Sequence, residues 1–439
     1  MASYSLSAFK IRLINSILFE NFNKDVPLDR VYANHFRKIK LEPQEQSLII
    51  DLVNDLIKRL NYYSFIAGYN KPKDGKRHIN KLICALHVEN KWPVPKNLPE
   101  CDDFSEKQAK IRKEQARDIP NLRYGCPEWL DLLGRKELGD RWDREKIALS
   151  RKPERYIRVN TLKVTREQLC EMLTASKIRF QVCENQEDAI MITGNADLFK
   201  TQMFKDGFFE QQDCGSQEIA PYLQVKPGMR VVDACAGAGG KTLHISALMK
   251  GKGVIIAMDD KDWKLQALRE RAKRAGAFNI ETRHIDSPKV IKKLKEQADR
   301  VLLDVPCSGT GVLKRNFDTK WSDNSNDIRE LTEIQADIID RYSQMTKRGG
   351  ILVYSTCSIL PMENQNQIET FLKKHNDFVL DEQKTVYPSE GGDGFFMARM
   401  RRLTENELAD KDGMADSEES GNKDAVNNGH SENSGEKSE

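Results

Sequence analysis

The chain has 439 residues, 39% of them hydrophobic and 31% charged, which suits a globular protein of two or three domains with a highly charged surface. No apolar run approaches the ~20 residues that cross a bilayer, and Met1-Ala2-Ser3-Tyr4-Ser5 lacks the basic start and apolar stretch of a secretory leader. Nine dispersed cysteines without a Cys-x-x-Cys pair favour neither a zinc site nor a disulfide framework, so a reduced cytoplasmic protein without membrane or metal is expected.

The formal charge of +3 hides a division: residues 404–439 hold 11 acidic and 3 basic residues, a net −8, leaving +11 on residues 1–403. A basic body suits a polyanionic partner, and equally a merely solvated surface. In chain order, residues 1–120 read as helical. Phe9, Leu13 and Ile17, with Ile14 and Leu18, recur at helical spacing, as do Leu48, Leu52 and Leu56 with Ile49, Val53 and Ile57 behind Glu42-Pro43. A basic break over residues 70–77 follows, then a charged helical stretch at 104–118 that Pro120 ends. A helical bundle without chemistry and an RNA-docking domain both fit this region.

Residues 121–225 read as a small α+β module. Pro127 opens a helical piece, residues 156–160 form a strand, and Thr165 with Gln168 make a capping box on the next helix. From residue 226 to 403, strands near 230–232, 254–258, 281–285, 301–303, 351–354 and 395–400 alternate with helices. That alternation predicts an α/β domain with a mostly parallel sheet. After Leu403 the apolar content collapses, so residues 404–439 read as an acidic disordered tail.

Asp233-Ala234-Cys235-Ala236-Gly237-Ala238-Gly239-Gly240-Lys241-Thr242 joins the first strand of that domain to its first helix. A phosphate-cradling P-loop needs a glycine where Cys235 stands, and the glycine spacing also departs from the dinucleotide pattern. What remains is a Gly-rich turn with Asp259 following Gly239 by 20 residues, the interval of a ribose-binding acid. Asp286, after the third strand, is placed to receive an adenine amino group. A nucleoside cofactor with an amino-acid arm, S-adenosylmethionine, fits this set better than a dinucleotide does. A helix cap is the plain alternative for each aspartate.

Two cysteines stand at strand ends further on. Asp304-Val305-Pro306-Cys307-Ser308-Gly309-Thr310-Gly311 follows Val301-Leu302-Leu303, and Ser355-Thr356-Cys357-Ser358 follows Gly350-Ile351-Leu352-Val353-Tyr354. Strand-end loops are where open α/β sheets place ligands, and cysteine is the one strong nucleophile in both loops. Buried free cysteines are usually inert packing residues, as expected for Cys84, Cys126 and Cys170.

With these motifs in view, the chain resembles the RsmB/Nop/Sun family of RNA cytosine-5 methyltransferases. The match rests on 233–242, 304–311 and 355–358, with Pro361, Glu363 and Asn364, on Gly394-Phe395-Phe396-Met397-Ala398-Arg399, and on Arg158-Val159-Asn160 and Gln212-Asp213 with Ser216. The resemblance implies a Rossmann-like methyltransferase domain at 226–403, an RNA-contacting module at 121–225 and a NusB-like RNA-binding domain at 1–120. It departs where Gly237-Ala238 replaces a usual Ala-Pro and where Phe317 replaces a usual proline, which bears on the local loop shape.

The same resemblance makes Cys357 the nucleophile that attacks carbon 6 of cytosine, and Cys307 the thiol that assists release. It puts Asp304 against the base or the cofactor's methionine end. Cys235, Ala236, Gly237, Ala238, Gly239, Gly240, Lys241, Asp259, Asp286 and Asp304 would hold the cofactor. Lys314, Arg315, Lys320 and the Arg399/Arg401/Arg402 cluster are expected to meet phosphates. A monomer acting on RNA is expected, small-subunit ribosomal RNA first and transfer RNA second. A DNA cytosine-5 methyltransferase would leave the Thr-Cys motif unexplained. A non-catalytic ribosome-assembly factor would leave both cysteines and the cofactor loop unexplained.

Overall fold

The computed structural model describes residues 6–23, 26–69, 75–96, 98–99, 101–322 and 325–410. Most of the basic break and residues 411–439 of the expected tail therefore lie outside the described residues. Helices Ala8–Asn23, Leu28–Arg37, Pro43–Lys58, Leu60–Ile66 and Lys76–Glu89 pack around Ile14, Ile17, Leu18, Val53, Leu56 and Ile83. Each such side chain contributes about 1.5–3 kcal/mol on burial. Phe9, expected on this face, is instead 42% exposed. At 3.6 residues per turn it falls about 120° from the middle of the Ile14, Ile17 and Leu18 stripe. Pro120, expected to end the charged helix, opens the short helix Pro120–Arg123, because proline suits a first helical turn.

A four-stranded antiparallel sheet follows, with β1 (Arg155–Val159), β2 (Phe180–Val182), β3 (Ala189–Ile192) and β4 (Phe209–Gln211) in the order β2-β3-β1-β4. The expected capping box is present: Gln168 N–H donates to Thr165 Oγ1 and Thr165 N–H to Gln168 Oε1.

Seven strands build the second sheet: β5 (Arg230–Asp233), β6 (Val254–Asp259), β7 (Ile280–His284), β8 (Ala298–Asp304), β9 (Thr346–Thr356), β10 (Phe378–Val386) and β11 (Phe395–Arg402). Their order is β10-β11-β9-β8-β5-β6-β7; β9 through β7 run parallel, and β11 runs antiparallel to both of its neighbours, β9 and β10. The inner parallel strands β5, β6, β8 and β9 are buried on both faces, whereas the edge strand β7 is half-exposed. Val232, Val301, Leu303 and Tyr354 face one core and Val231, Leu302 and Val353 the other. β5 has β6, the next strand in sequence, on one side and β8, to which the chain returns after β7, on the other. The loops after β5 and β8 therefore diverge and open a crevice at the strand ends.

Two features link the parts. Phe317 is buried among the N-terminal helices, and Trp321 Nε1 donates to the Ile57 carbonyl at 2.5 Å. The position where proline is usual thus carries a ring that plugs the helical bundle. The expected start of the disordered tail at 404 is corrected, because residues 405–410 are helical. Thr404 bonds Glu407 there, and Glu407 pairs with Arg401 at 2.8 Å, giving these residues native contacts.

Candidate active site

β5 ends at Asp233, and the glycine loop turns there into helix Gly240–Leu248. Asp233 is buried, Thr242 Oγ1 donates to its Oδ2 at 2.7 Å, and its Oδ1 has no partner. Burial pushes its carboxyl up to about 7, the Thr242 bond offsetting only part of the effect. Gly239 has φ +86° and sits against Leu268, whose Cγ would lie 2.5 Å from an added Cβ. Only glycine fits that close approach. An added Cβ at Gly237 or Gly240 meets nothing within 4 Å, so the crevice side of the loop is open.

The loop is held from several sides. Asp259 Oδ2 accepts the Gly237 N–H and its Oδ1 the Lys261 N–H, each at 2.9 Å. Arg271 reaches the Ala238 carbonyl at 2.7 Å, and Arg158, from β1, reaches the Gly240 carbonyl at 2.8 Å while also bonding Gln212. Ala236 N–H donates to Met258 O at 2.8 Å. Burial raises the Cys235 thiol far above its ordinary value, which keeps it neutral. Asp286, beyond β7, is exposed and bonds Ser287 at 3.0 Å.

β8 and β9 are neighbours in parallel register, with Asp304 opposite Ser355. Asp304 takes the Lys241 ammonium on Oδ2 at 2.5 Å and the Ser355 hydroxyl on Oδ1 at 2.9 Å. Burial presses the Lys241 pKa down, but Asp304 and the nearby Cys357 outweigh it, so the amine is raised and stays charged. Just beyond the strand ends, Cys307 Sγ and Cys357 Sγ are 3.3 Å apart, and the Cys357 N–H points at Cys307 Sγ. Contact with Cys357 and then burial hold the Cys307 thiol far above its ordinary value. Gly311 locks the two loops together: its N–H donates to Cys357 O at 2.9 Å, and its carbonyl accepts from Gly394 N–H at 2.8 Å.

Lys241, Asp304, Cys307 and Cys357 therefore converge, and Asp259 supports the glycine loop beside them. Asp286 makes no contact with that group. The expected phosphate contacts are corrected, because most of these cations are committed to partners inside the protein. Lys314 is buried against Glu154 and Gly392, and Arg315 bridges Asp213 and Asp393. Lys320 is buried with its pKa pressed down to about 7 by desolvation. Arg399 pairs with Glu382, Arg401 with Glu407 and Arg402 with Asp377, because the closing strand lies among carboxylates of its neighbours. Sequence reasoning noted Glu363 without a role, and it missed Gln335 and Arg271, whose work depends on contacts distant in the chain. Among the described residues no cluster of His, Cys, Asp or Glu could hold a metal, and no helix is long and apolar enough to cross a membrane.

The family described as 16S rRNA methyltransferase RsmB/F matches residues 220–401, and the RsmF/B-like ferredoxin-like domain matches residues 126–198. Ribosomal RNA small subunit methyltransferase B of Photorhabdus laumondii is 33% identical over 433 residues, covering 91% of this chain and 99% of its own. The crystal structure of PH0851 superposes with a TM-score of 0.76 at 22% identity, over 91% of this chain and 100% of its own. NSun6 from Pyrococcus horikoshii, solved with SFG, gives 0.58 at 22% identity, over 64% of this chain and 99% of its own.

Proposed function

The chain belongs to the RsmB/F family of 16S rRNA methyltransferases, and from that premise we propose that it methylates carbon 5 of a cytosine in RNA with S-adenosylmethionine as donor. Small-subunit ribosomal RNA is the substrate this reading puts first. The observation that carries it is the pair of sulfurs 3.3 Å apart at the ends of adjacent parallel strands, next to the Lys241–Asp304 pair.

The cofactor reading is supported by the open space over Gly237 and Gly240 and by the acids at the ends of β6 and β8. Asp259 spends one lone pair of each oxygen on the loop and keeps others for ribose hydroxyls. Residues 235–241 and Asp304 would hold the methionine end, and Asp286 the adenine. When bound, the cofactor supplies an electrophilic methyl group.

Carbon 5 of cytosine is a poor nucleophile. On this reading the Cys357 sulfur bonds to carbon 6, which makes the ring enamine-like and carbon 5 nucleophilic. Lys241 lies within electrostatic reach of that sulfur. After methylation the carbon 5 proton passes to water, and its electron pair re-forms the double bond to carbon 6. The carbon–sulfur pair returns to Cys357, where the Cys307 thiol, kept protonated, donates a hydrogen bond to the leaving sulfur.

The helical domain over residues 1–120 and the module over 121–225 would dock RNA around this crevice, in a cytoplasmic monomer. Two variants test the assignment. Cys357→Ala should abolish methyl transfer while cofactor binding persists. Cys307→Ala should accumulate a covalent protein–RNA adduct visible on a denaturing gel, and an adduct only in the Cys357 variant would reverse the roles. Bisulfite sequencing of RNA from cells lacking the protein identifies the nucleotide.

A further inference from the structure

Glu363 lies in the short turn Pro361–Glu363 that follows the Cys357 loop, and it is fully buried. Its carboxyl group faces the other cysteine's loop. Oε1 accepts the Ser308 N–H at 2.8 Å and Gln335 Nε2 at 3.0 Å, and Oε2 accepts the Ser308 hydroxyl at 2.5 Å. Gln335, from helix Ser325–Tyr342, also donates to the Pro306 carbonyl at 2.9 Å. The residues on both sides of Cys307 are thus gripped by one carboxyl and one amide. Glu363's own carbonyl is fixed by the Tyr354 hydroxyl at 2.7 Å, so the grip is anchored in β9, the strand that delivers Cys357.

A buried carboxyl is costly unless its lone pairs are satisfied, and packing alone would be served by a leucine. Here every donor it satisfies belongs to the Cys307 loop or to the helix holding that loop. The geometry points to Glu363 as the positioning residue that, with Gln335, holds the Cys307 thiol against the Cys357 sulfur for product release. This inference rests on the reading that Cys307 assists release, and it adds the device that fixes the spacing between the two sulfurs. Loss of the bracket lets residues 306–308 shift, and a sub-ångström shift already weakens a donor aimed at a leaving sulfur.

The release step is the one that needs both sulfurs in register, whereas attack and methylation need Cys357 and the cofactor. The test separates the two phases in the full-length protein with RNA and S-adenosylmethionine. Glu363→Ala should raise the steady-state covalent adduct at least about tenfold, while single-turnover methyl transfer changes by less than about threefold. Glu363→Gln keeps an acceptor at Oε1 and should restore release. Cys307→Ala is run alongside. An adduct in that variant but none in Glu363→Ala overturns the positioning role. No adduct in Cys307→Ala overturns the release role itself, and the inference with it. Equal losses of methyl transfer and release in Glu363→Ala, or a Gln variant as defective as Ala, also overturn it. If Glu363→Ala does not fold, Gln335→Ala, which removes the bonds to Pro306 and Glu363, is held to the same outcomes.

Discussion

Gly311→Ala is the sharpest probe of how the two cysteine loops are held. A Cβ on residue 311 would lie 2.2 Å from the Gly394 carbonyl oxygen and 2.8 Å from the Cys357 carbonyl oxygen. Both neighbours are backbone, so no side chain can swing aside. Ordinary carbon–oxygen contacts begin near ~3.3 Å, and one or more of these loops must move by about 0.5–1 Å. That movement strains the two bonds that join Gly311 to Cys357 and Gly394, each contributing about 1 kcal/mol, and adds about 1–3 kcal/mol of overpacking. Displacing Cys357 by up to 1 Å costs about a hundredfold in rate. Transfer of labelled methyl to RNA, thermal unfolding and cofactor binding by calorimetry measure the three effects separately. The expected pattern is about a hundredfold loss of turnover, a loss of about 2–4 kcal/mol in stability, and unchanged cofactor affinity. Turnover within threefold of the parent would refute the claim that Gly311 sets the position of Cys357.

Gly240→Ala probes the crevice instead. Its Cβ meets nothing within 4 Å, so stability should hold or rise by up to about 1 kcal/mol at this helix start, while cofactor affinity falls; calorimetry that finds affinity unchanged would remove Gly240 from the cofactor's surface. Asp233 predicts a pH dependence. Its native carboxyl, pushed up to about 7, keeps a proton that the unfolded chain releases near 4, so stability declines as pH rises through that window. The total is on the order of 4 kcal/mol, and Asp233→Asn should flatten that part of the stability curve in denaturant titrations from pH 4 to 8. Phe317→Ala removes the ring buried among the N-terminal helices and should cost about 3–5 kcal/mol of their stability without changing cofactor affinity. Protease susceptibility of residues 1–120 that matches the parent would contradict it.

Several elements were legible from residues alone because their determinants are local. The Val301–Leu303 run, the glycines of the cofactor loop and the Thr165–Gln168 box specify a strand, a turn and a cap from neighbours a few residues apart. Strand β10 was not legible, since it is an edge strand whose middle, residues 380–384, is exposed and lacks the alternation that marks a half-buried strand. The fate of the cations was equally hidden. Arg315 and Arg402 read as free charges in a list of residues, yet their partners Asp213 and Asp377 come from other segments.

By itself the sequence determined most of the strand–helix alternation of residues 226–403, the Gly-rich loop, and the two cysteine motifs at strand ends, because each depends on periodicity and turn chemistry within one segment. Only the tertiary structure decided that β8 and β9 lie side by side, which brings residues 307 and 357 to sulfur contact across 50 positions of chain. It also decided that Phe317 belongs to the helical bundle and that Glu363 grips the opposite loop. Those outcomes depend on which strands become neighbours in the sheet, and that choice is made by burial of two cores at once rather than by any local pattern.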